Sequence, residues 1–298
     1  MIKSIKDVLS GMQVARPMPT GVKFLDENLG GLYPGEVTVV CGSTNDGNTA
    51  LKIRMIHQLV FDEGIPVMLV LNGTDEQQAF LWAMAIYHSS EVHEDEREVS
   101  LFEPDMDDFW QMVMTKPLYF VSEKILAPEG AEEMKEMIGD MGIKAVFVEK
   151  AESLSGLVEN DVGSTLKRLA RELQVAVVAE YEVVWWGDDV ITTRPDVFKH
   201  DSIADLADNV VGMFDYVNHG IYTHKMEDDL KGIVKIIIMK HKRLASIGKS
   251  VNLDIMTLYC RDWKRAMVYE TERFIESNPY IQRLFRKFDC ELADEECL

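Results

Sequence analysis

The sequence predicts an α/β protein: a mostly parallel central sheet with helices on both faces and an antiparallel C-terminal extension. The runs Glu36 to Cys41 (EVTVVC), Ile65 to Leu71 (IPVMLVL), Ala145 to Val148 (AVFV) and Val175 to Ala179 (VAVVA) have strand length and no polar alternation, the pattern of strands buried on both faces. Stretches of helical periodicity separate them, as a parallel sheet with crossover helices requires. From residue 209 onward the apolar runs look like strands joined by short connections, an antiparallel extension.

The elements follow in order. Ile5, Leu9 and Met12 share one stripe of a short N-terminal helix within residues 1–15. Pro17-Met-Pro-Thr-Gly21 is a stiff connector, and the pairs Gly30-Gly31 and Pro34-Gly35 punctuate the chain before the first strand. A helix begins near Thr49, with Leu51, Met55, Ile56 and Leu59 on its apolar side. After the second strand a helix is expected from Asp75 to Tyr87, then strands at Leu118 to Val121 and Ala145 to Val148 with a helix between them, and a helix from Val162 to Leu173. Asn209 to Val217, Gly232 to Met239, Val251 to Met256 and Ala266 to Tyr269 make the antiparallel extension. At the C-terminus Ile281, Leu284, Phe285 and Phe288 form an apolar stripe interleaved with Arg283, Arg286 and Lys287, on a helix that packs on its own core or on a neighbour. The chain divides into a linker helix at 1–15, one large domain at 16–272 and a helical tail at 273–298.

Composition narrows the function. The 298 residues hold 31 Lys and Arg against 51 Asp and Glu, a net charge of −20, with 47% hydrophobic residues. That is enough apolar material for a core and excludes a disordered acidic tail protein. The charge argues against non-specific gripping of a phosphate backbone, which needs clustered Lys and Arg. Nine acidic residues and one basic residue, Arg97, between Glu91 and Asp108 read as a solvated loop. No run of 18 apolar residues occurs and the N-terminus lacks a signal-peptide core, so a soluble cytoplasmic protein with no membrane contact is expected. Cys41, Cys260, Cys290 and Cys297 form no metal-spaced pair and read as reduced thiols. Met134, Met137 and Met141 read as core packing, and the seven histidines, His219 and His224 among them, lack metal spacing.

Chemistry concentrates in Gly42-Ser43-Thr44-Asn45-Asp46-Gly47-Asn48-Thr49-Ala50, between a strand and a helix. This is the place of a phosphate loop, G-x-x-x-x-G-K followed by Ser or Thr, whose backbone N–H groups and helix N-terminus cradle phosphates. Both glycines and Thr49 are present, but Asn48 stands where the lysine belongs. A neutral amide donates bonds about half as strong as a charged donor. Asp46 adds a carboxylate to the loop, a repulsion of about 4 kcal/mol for a phosphate charge some 4 Å away unless the side chain turns outward. Lys52 lies one helical turn after Asn48 and is the nearest substitute cation.

Around this loop the sequence resembles the helicase domain of the bacterial replicative helicase DnaB and its phage relatives. The resemblance runs through Pro19 to Asp26, Gly30-Gly31-Leu32, Pro34-Gly35-Glu36, Asp75-Glu-Gln-Gln78, Thr165 to Ala179, Arg194-Pro-Asp196, Ile203 to Val211 and Ile236 to Arg243, covering about residues 16 to 258. It implies a RecA-like core, hexameric assembly, ATP with Mg²⁺ as cofactor and single-stranded DNA in a central channel. The family's catalytic glutamate falls on Asn72, which is no general base. Its Walker-B aspartate falls on Glu149, so that Thr49 and Glu149 are the implied Mg²⁺ residues. The nucleotide-sensing Ser-Gln pair becomes Glu180-Tyr181, and the inter-subunit basic finger falls among Lys240, Lys242 and Arg243. The stretch corresponding to the DNA-facing loops, Val183 to His200, carries Asp188, Asp189 and Asp196 against Arg194 and Lys199; Trp185-Trp186 within it reads as one core and one interface residue in preference to a base-stacking platform.

Each lost charge or donor costs phosphoryl transfer about 3 to 4 kcal/mol, so negligible hydrolysis is expected. The leading reading is a DnaB-like protein with a degenerate nucleotide site, a non-hydrolysing nucleotide-binding or scaffolding module of DNA replication or recombination. It is a homo-oligomer, with nucleotide binding weak or lost and single-stranded DNA disfavoured by charge. Two alternatives stay open: an active ATP-dependent DNA helicase rescued by Lys52 or a neighbour's lysine, and a recombinase-like ATP-binding module without DNA contact.

Overall fold

The structure is a computed structural model that describes residues 16–72, 115–158, 161–183, 202–220, 232–242, 248–255, 258 and 291–292. The expected N-terminal helix, the helix at 75–87, the acidic stretch 91–108, Trp185-Trp186, the strand at 266–269, the helical tail, His224, Arg243 and the last three cysteines lie outside these residues.

One sheet organises the molecule. Its strands are β1 (Val37–Gly42), β2 (Val67–Leu71), β3 (Leu118–Ser122), β4 (Ala145–Val148), β5 (Ala176–Glu182), β6 (Asn209–Asp215), β7 (Ile233–His241), β8 (Ser250–Asp254) and the two-residue β9 (Glu291–Leu292). Their spatial order is β3-β2-β4-β5-β1-β6-β7-β8-β9. The first six are parallel, while β7 runs antiparallel to both β6 and β8, so the expected architecture holds. Strand β1 lies between β5 and β6, and its carboxyl end, where a doubly wound sheet binds ligands, opens into the Gly42 to Thr49 loop.

Alternation along the strands builds two cores. Val40, Leu69, Phe147, Val178 and Val211 point to one face and pack with Leu51, Met55 and Ile56. Val39, Cys41, Val70, Val148 and Val177 point to the other and pack with Leu166, Ala170 and Ile203. Each such side chain contributes about 1.5–3 kcal/mol by leaving water. Burial raises the Cys41 thiol pKa, with the Asp46 charge adding to it, so Cys41 packs as a small apolar group.

Among the helices, α1 (Lys23–Leu29) buries Phe24, Leu25 and Leu29 and ends on Gly30 at φ 78°. Helix α2 (Asn48–His57) continues into a π-helical turn at Gln58–Asp62. Helix α3 (Ala131–Asp140) buries Met134 and Ile138. Of the expected core methionines, Met134 fits and Met141 does not, because the helix ends before Met141 and leaves it 38% exposed. Helix α4 (Val162–Leu173) starts on Asp161, whose carboxylate accepts from Ser164 N–H at 2.9 Å, and packs beside the short α5 (Ile203–Leu206).

Two strand ends differ from expectation for local reasons. Strand β5 runs on to Glu182 because Tyr181 and Glu182 still pair with Cys41 and Gly42. Strand β6 stops at Asp215 because its carboxylate accepts from the N–H groups of Val217 at 2.8 Å and Asn218 at 2.9 Å, turning the chain.

Candidate functional site

The loop between β1 and α2 is held from below. Gly47 takes φ 93° and Asn45 φ 70°, the left-handed conformations that curl the backbone around its own N–H groups. A Cβ on Gly42 would stand 2.9 Å from the Met213 carbonyl oxygen, so β6 passes too close for any other residue there. Asp46 is fully buried. Its carboxylate accepts from Ser43 N–H at 2.7 Å, Asp215 N–H at 3.2 Å, Asn218 Nδ2 at 3.0 Å and His219 Nε2 at 2.8 Å. The Asp46 side chain does not turn outward: it is buried beneath the loop, and its hydrogen bonds tie the loop to the β6 turn.

Asn48 closes the inside of the loop. Its Nδ2 donates to the Gly42 carbonyl at 3.1 Å, the residue is 8% exposed, and Oδ1 has no hydrogen-bond partner among the described residues. The amide thus spans the strand end and the helix start.

Lys52 lies on α2, a helix buried nearly all round, and its side chain is 3% exposed. A buried ammonium needs opposite charge. The Nζ atom donates to Glu149 Oε1 at 2.7 Å, at the end of β4, and to Glu180 Oε2 at 2.6 Å, on β5. Thr49 Oγ1 donates to the other oxygen of Glu180 at 3.3 Å. Lys52 therefore turns to the two carboxylates and is not among the residues that line the cleft above the loop. The implied Mg²⁺ residues meet a poor fit here: Glu149 is bonded to an ammonium and the Thr49 proton points at Glu180. Among the described residues no group of three or more His, Cys, Asp or Glu side chains is arranged to hold a metal ion.

Above the loop opens a cleft of about 530 Å³, lined among others by Thr44, Asn45, Lys150, Glu152, Glu180 and Glu182. Three carboxylates face one lysine across it. Burial pushes the Glu152 carboxyl above its ordinary pKa; the Glu182 N–H bond opposes this, and the Glu182 and Glu180 charges add to it. Ser43 Oγ donates to the Val183 carbonyl at 2.8 Å and Thr44 Oγ1 to the Glu182 carboxylate, so the end of β5 holds the loop from the front. Lys150 sits at φ 43°, a strained conformation for a non-glycine residue. Asn72, at the family's catalytic-base position, donates from Nδ2 to the Lys150 carbonyl at 2.9 Å and to Ser153 Oγ. Its amide ties the ends of β2 and β4 together.

Lys240 and Lys242, the described members of the basic cluster, lie at the other end of the sheet, because antiparallel β7 brings His241 beside Asn209 at the start of β6. Lys240 Nζ donates to the carbonyls of Ala204 at 2.8 Å and Asp205 at 2.7 Å; burial lowers its pKa against the pull of Asp205 and Asp208. Lys242 Nζ donates to Glu36 at 3.0 Å and lies 3.5 Å from Asp208, itself ion-paired with Lys167. These partners of Lys242, and His219 as the anchor of Asp46, escaped the sequence reading. The available signal for His219 was its place just beyond β6, the parallel neighbour of the loop-bearing strand.

Comparison with known proteins agrees with this fold. Among curated protein sequences none matches the chain. Among solved structures, that of a DnaB-like replicative helicase and its interactions with primase superposes with a TM-score of 0.62 at 15% identity, over 84% of this chain and 63% of that one. This chain therefore spans less than two thirds of that helicase. An ATPase domain superposes with a TM-score of 0.63 at 14% identity, over 85% of this chain and 93% of that one. At these identities the likeness establishes the fold. The family model for the DnaB-like helicase C-terminal domain matches residues 17–257. The chain therefore belongs to the DnaB-like helicase C-terminal domain family.

Proposed function

We propose that this DnaB-like domain is a non-hydrolysing nucleotide-binding or scaffolding module of DNA replication or recombination, a pseudoenzyme in which the family's phosphate loop is kept as a structural and weakly binding element. The observation that carries the reading is Lys52, buried between Glu149 at 2.7 Å and Glu180 at 2.6 Å. That pairing leaves the loop with Asn48 as a neutral donor and without the Walker-A cation. Asn72, with its amide in a backbone bond, has no basic atom to take a proton from water. Carboxylates of Glu152, Glu180 and Glu182 around the cleft oppose a polyphosphate.

What the chain's own residues do is bind and position. Backbone N–H groups of the loop other than those of Ser43 and Asp46 offer neutral donors to a phosphate-bearing ligand, Asp46 fixes the loop from beneath through Ser43 N–H, and the Thr44 and Ser43 side chains hold it against β5. The family resemblance supports assembly with further copies of the chain, with Lys240, Lys242 and Arg243 as the basic surface of the subunit contact. The acidic balance disfavours single-stranded DNA. Among the described residues no helix is long and apolar enough to cross a membrane.

The test is ATP turnover with and without single-stranded DNA, next to calorimetric titration of nucleotide. Turnover below roughly 0.1 per second, against typical enzyme values of about 10, is expected. DNA-stimulated turnover above that level would replace this reading with an active helicase, and tight ATP binding without response to DNA would favour a stand-alone ATP-binding module.

A further inference from the structure

We infer that the Lys52 ammonium is a built-in replacement for the divalent cation of this phosphate loop, so that a phosphate-bearing ligand is taken up here without metal. The inference deepens the proposed function and rests on its reading of the loop as non-hydrolysing. Four groups converge: Lys52 and Thr49 from α2, Glu149 from the end of β4 and Glu180 from β5. In the family frame Thr49 and Glu149 are the residues that face Mg²⁺. Here Nζ stands 2.7 Å from Glu149 and 2.6 Å from Glu180, the separations of charge-assisted bonds, and the side chain is 3% exposed.

Three physical consequences favour the ammonium over a metal. Mg²⁺ requires near-octahedral oxygen ligands at about 2.0–2.1 Å and keeps several waters, whereas the space between these carboxylates is already filled by an NH₃⁺ group that satisfies both. The Thr49 hydroxyl donates its proton to Glu180 at 3.3 Å, while a metal would need its lone pair and the carboxylate facing elsewhere. Expelling Lys52 to admit a cation would leave a long aliphatic chain and an ammonium without their buried partners on a helix whose surroundings are closed. One positive charge against two carboxylates leaves the group at −1, and the cleft carries Glu152 and Glu182 besides. Uptake therefore rests on the backbone N–H groups of the loop and not on a bridging metal.

The experiment uses the full chain, with Mn²⁺ as the probe metal and ¹H–¹⁵N spectra of lysine NH₃⁺ groups as the readout. The buried Lys52 NH₃⁺ signal is expected to stay unshifted and unbroadened as Mn²⁺ is added; broadening with saturation at one Mn²⁺ per chain overturns the inference. Lys52→Met is expected to gain roughly tenfold or more in Mn²⁺ affinity and a melting midpoint that rises with Mn²⁺. A folded Lys52→Met chain with unchanged Mn²⁺ affinity also overturns the inference, and if that variant does not fold, the spectrum of the unmodified chain decides alone. ATP turnover measured alongside separates the two claims. Turnover with an undisturbed Lys52 signal defeats the non-hydrolysing reading and spares this one, whereas a broadened Lys52 signal without turnover does the reverse.

Discussion

The imidazole Nε2 of His219 stands 2.8 Å and 2.9 Å from the two carboxylate oxygens of Asp46, 173 positions away in sequence. The ring is also stacked on Phe214 with centroids 4.4 Å apart, so its direction is fixed by packing. Asp46 is fully buried, and Ser43 N–H, Asp215 N–H and the Asn218 amide are among its other donors. His219→Ala removes the one ring donor from a buried carboxylate, which costs about 2–3 kcal/mol for a charged acceptor left short. A fall in melting midpoint of roughly 5 °C or more is expected in thermal denaturation. An unchanged midpoint would mean that the other donors suffice and that the imidazole only packs.

Replacing the two missing residues does not by itself rebuild an ATPase. Asn48→Lys introduces an ammonium at the loop, and Asn72→Glu a carboxylate at the family's base position, but Glu149 stays bound to Lys52 at 2.7 Å. Asn72→Glu also removes the donor to the Lys150 carbonyl and Ser153, loosening the turn after β4. ATP turnover of the double variant is expected to stay at the background of the unmodified chain. A rise of about tenfold or more, roughly 1.4 kcal/mol of barrier, would show that the Lys52 pairing does not limit the chemistry.

The strands were legible in the sequence wherever both faces are buried. The run Ala145 to Val148 is β4 residue for residue, and Val162 to Leu173 is α4, because apolar spacing and the Asp161 cap act locally. The place of the phosphate loop was equally legible, since a strand, two glycines and a helix start are adjacent in the chain. Contacts made across the sheet were not. Lys52 meets Glu149 and Glu180 only because α2 crosses the ends of β4 and β5, separations of 97 and 128 positions that no local pattern encodes. The direction of the Asp46 side chain was open for the same reason: from sequence it is a charge in a phosphate loop, and the turn after β6 supplies donors that hold it beneath the loop.

Glu152 makes stability depend on pH in one direction. Burial and the neighbouring Glu182 and Glu180 charges raise its carboxyl pKa in the folded chain. The native state therefore holds its proton to higher pH than the unfolded chain, and stability falls as pH rises past the ordinary glutamate value of about 4.3. Glu152→Gln should melt at a higher temperature than the unmodified chain near neutral pH, with the gap closing at acid pH. The same variant removes one carboxylate from the cleft and should bind inorganic phosphate or ADP more tightly in calorimetry. Equal melting curves at every pH would show that Glu152 is relaxed by solvent in the cleft.

Asp208 carries the opposite dependence. Its burial alone would raise the carboxyl, but the Lys167 hydrogen bond, the Val37 N–H bond at 2.8 Å and the charges of Lys167 and Lys242 outweigh it and hold the pKa below the ordinary value. Stability from this group is present above the unfolded carboxyl value of about 3.9 and is lost as pH falls through the lower folded value. Asp208→Asn leaves Lys167 buried without its counter-ion, a cost of about 3 kcal/mol near neutral pH. Denaturant unfolding should show that loss at neutral pH and a difference that begins to narrow below about pH 4, where the unfolded carboxyl takes up its proton, and that closes as pH falls through the lower folded value. A deficit that persists undiminished in acid would show that the carboxylate charge facing Lys167 and Lys242 is not the source of the loss.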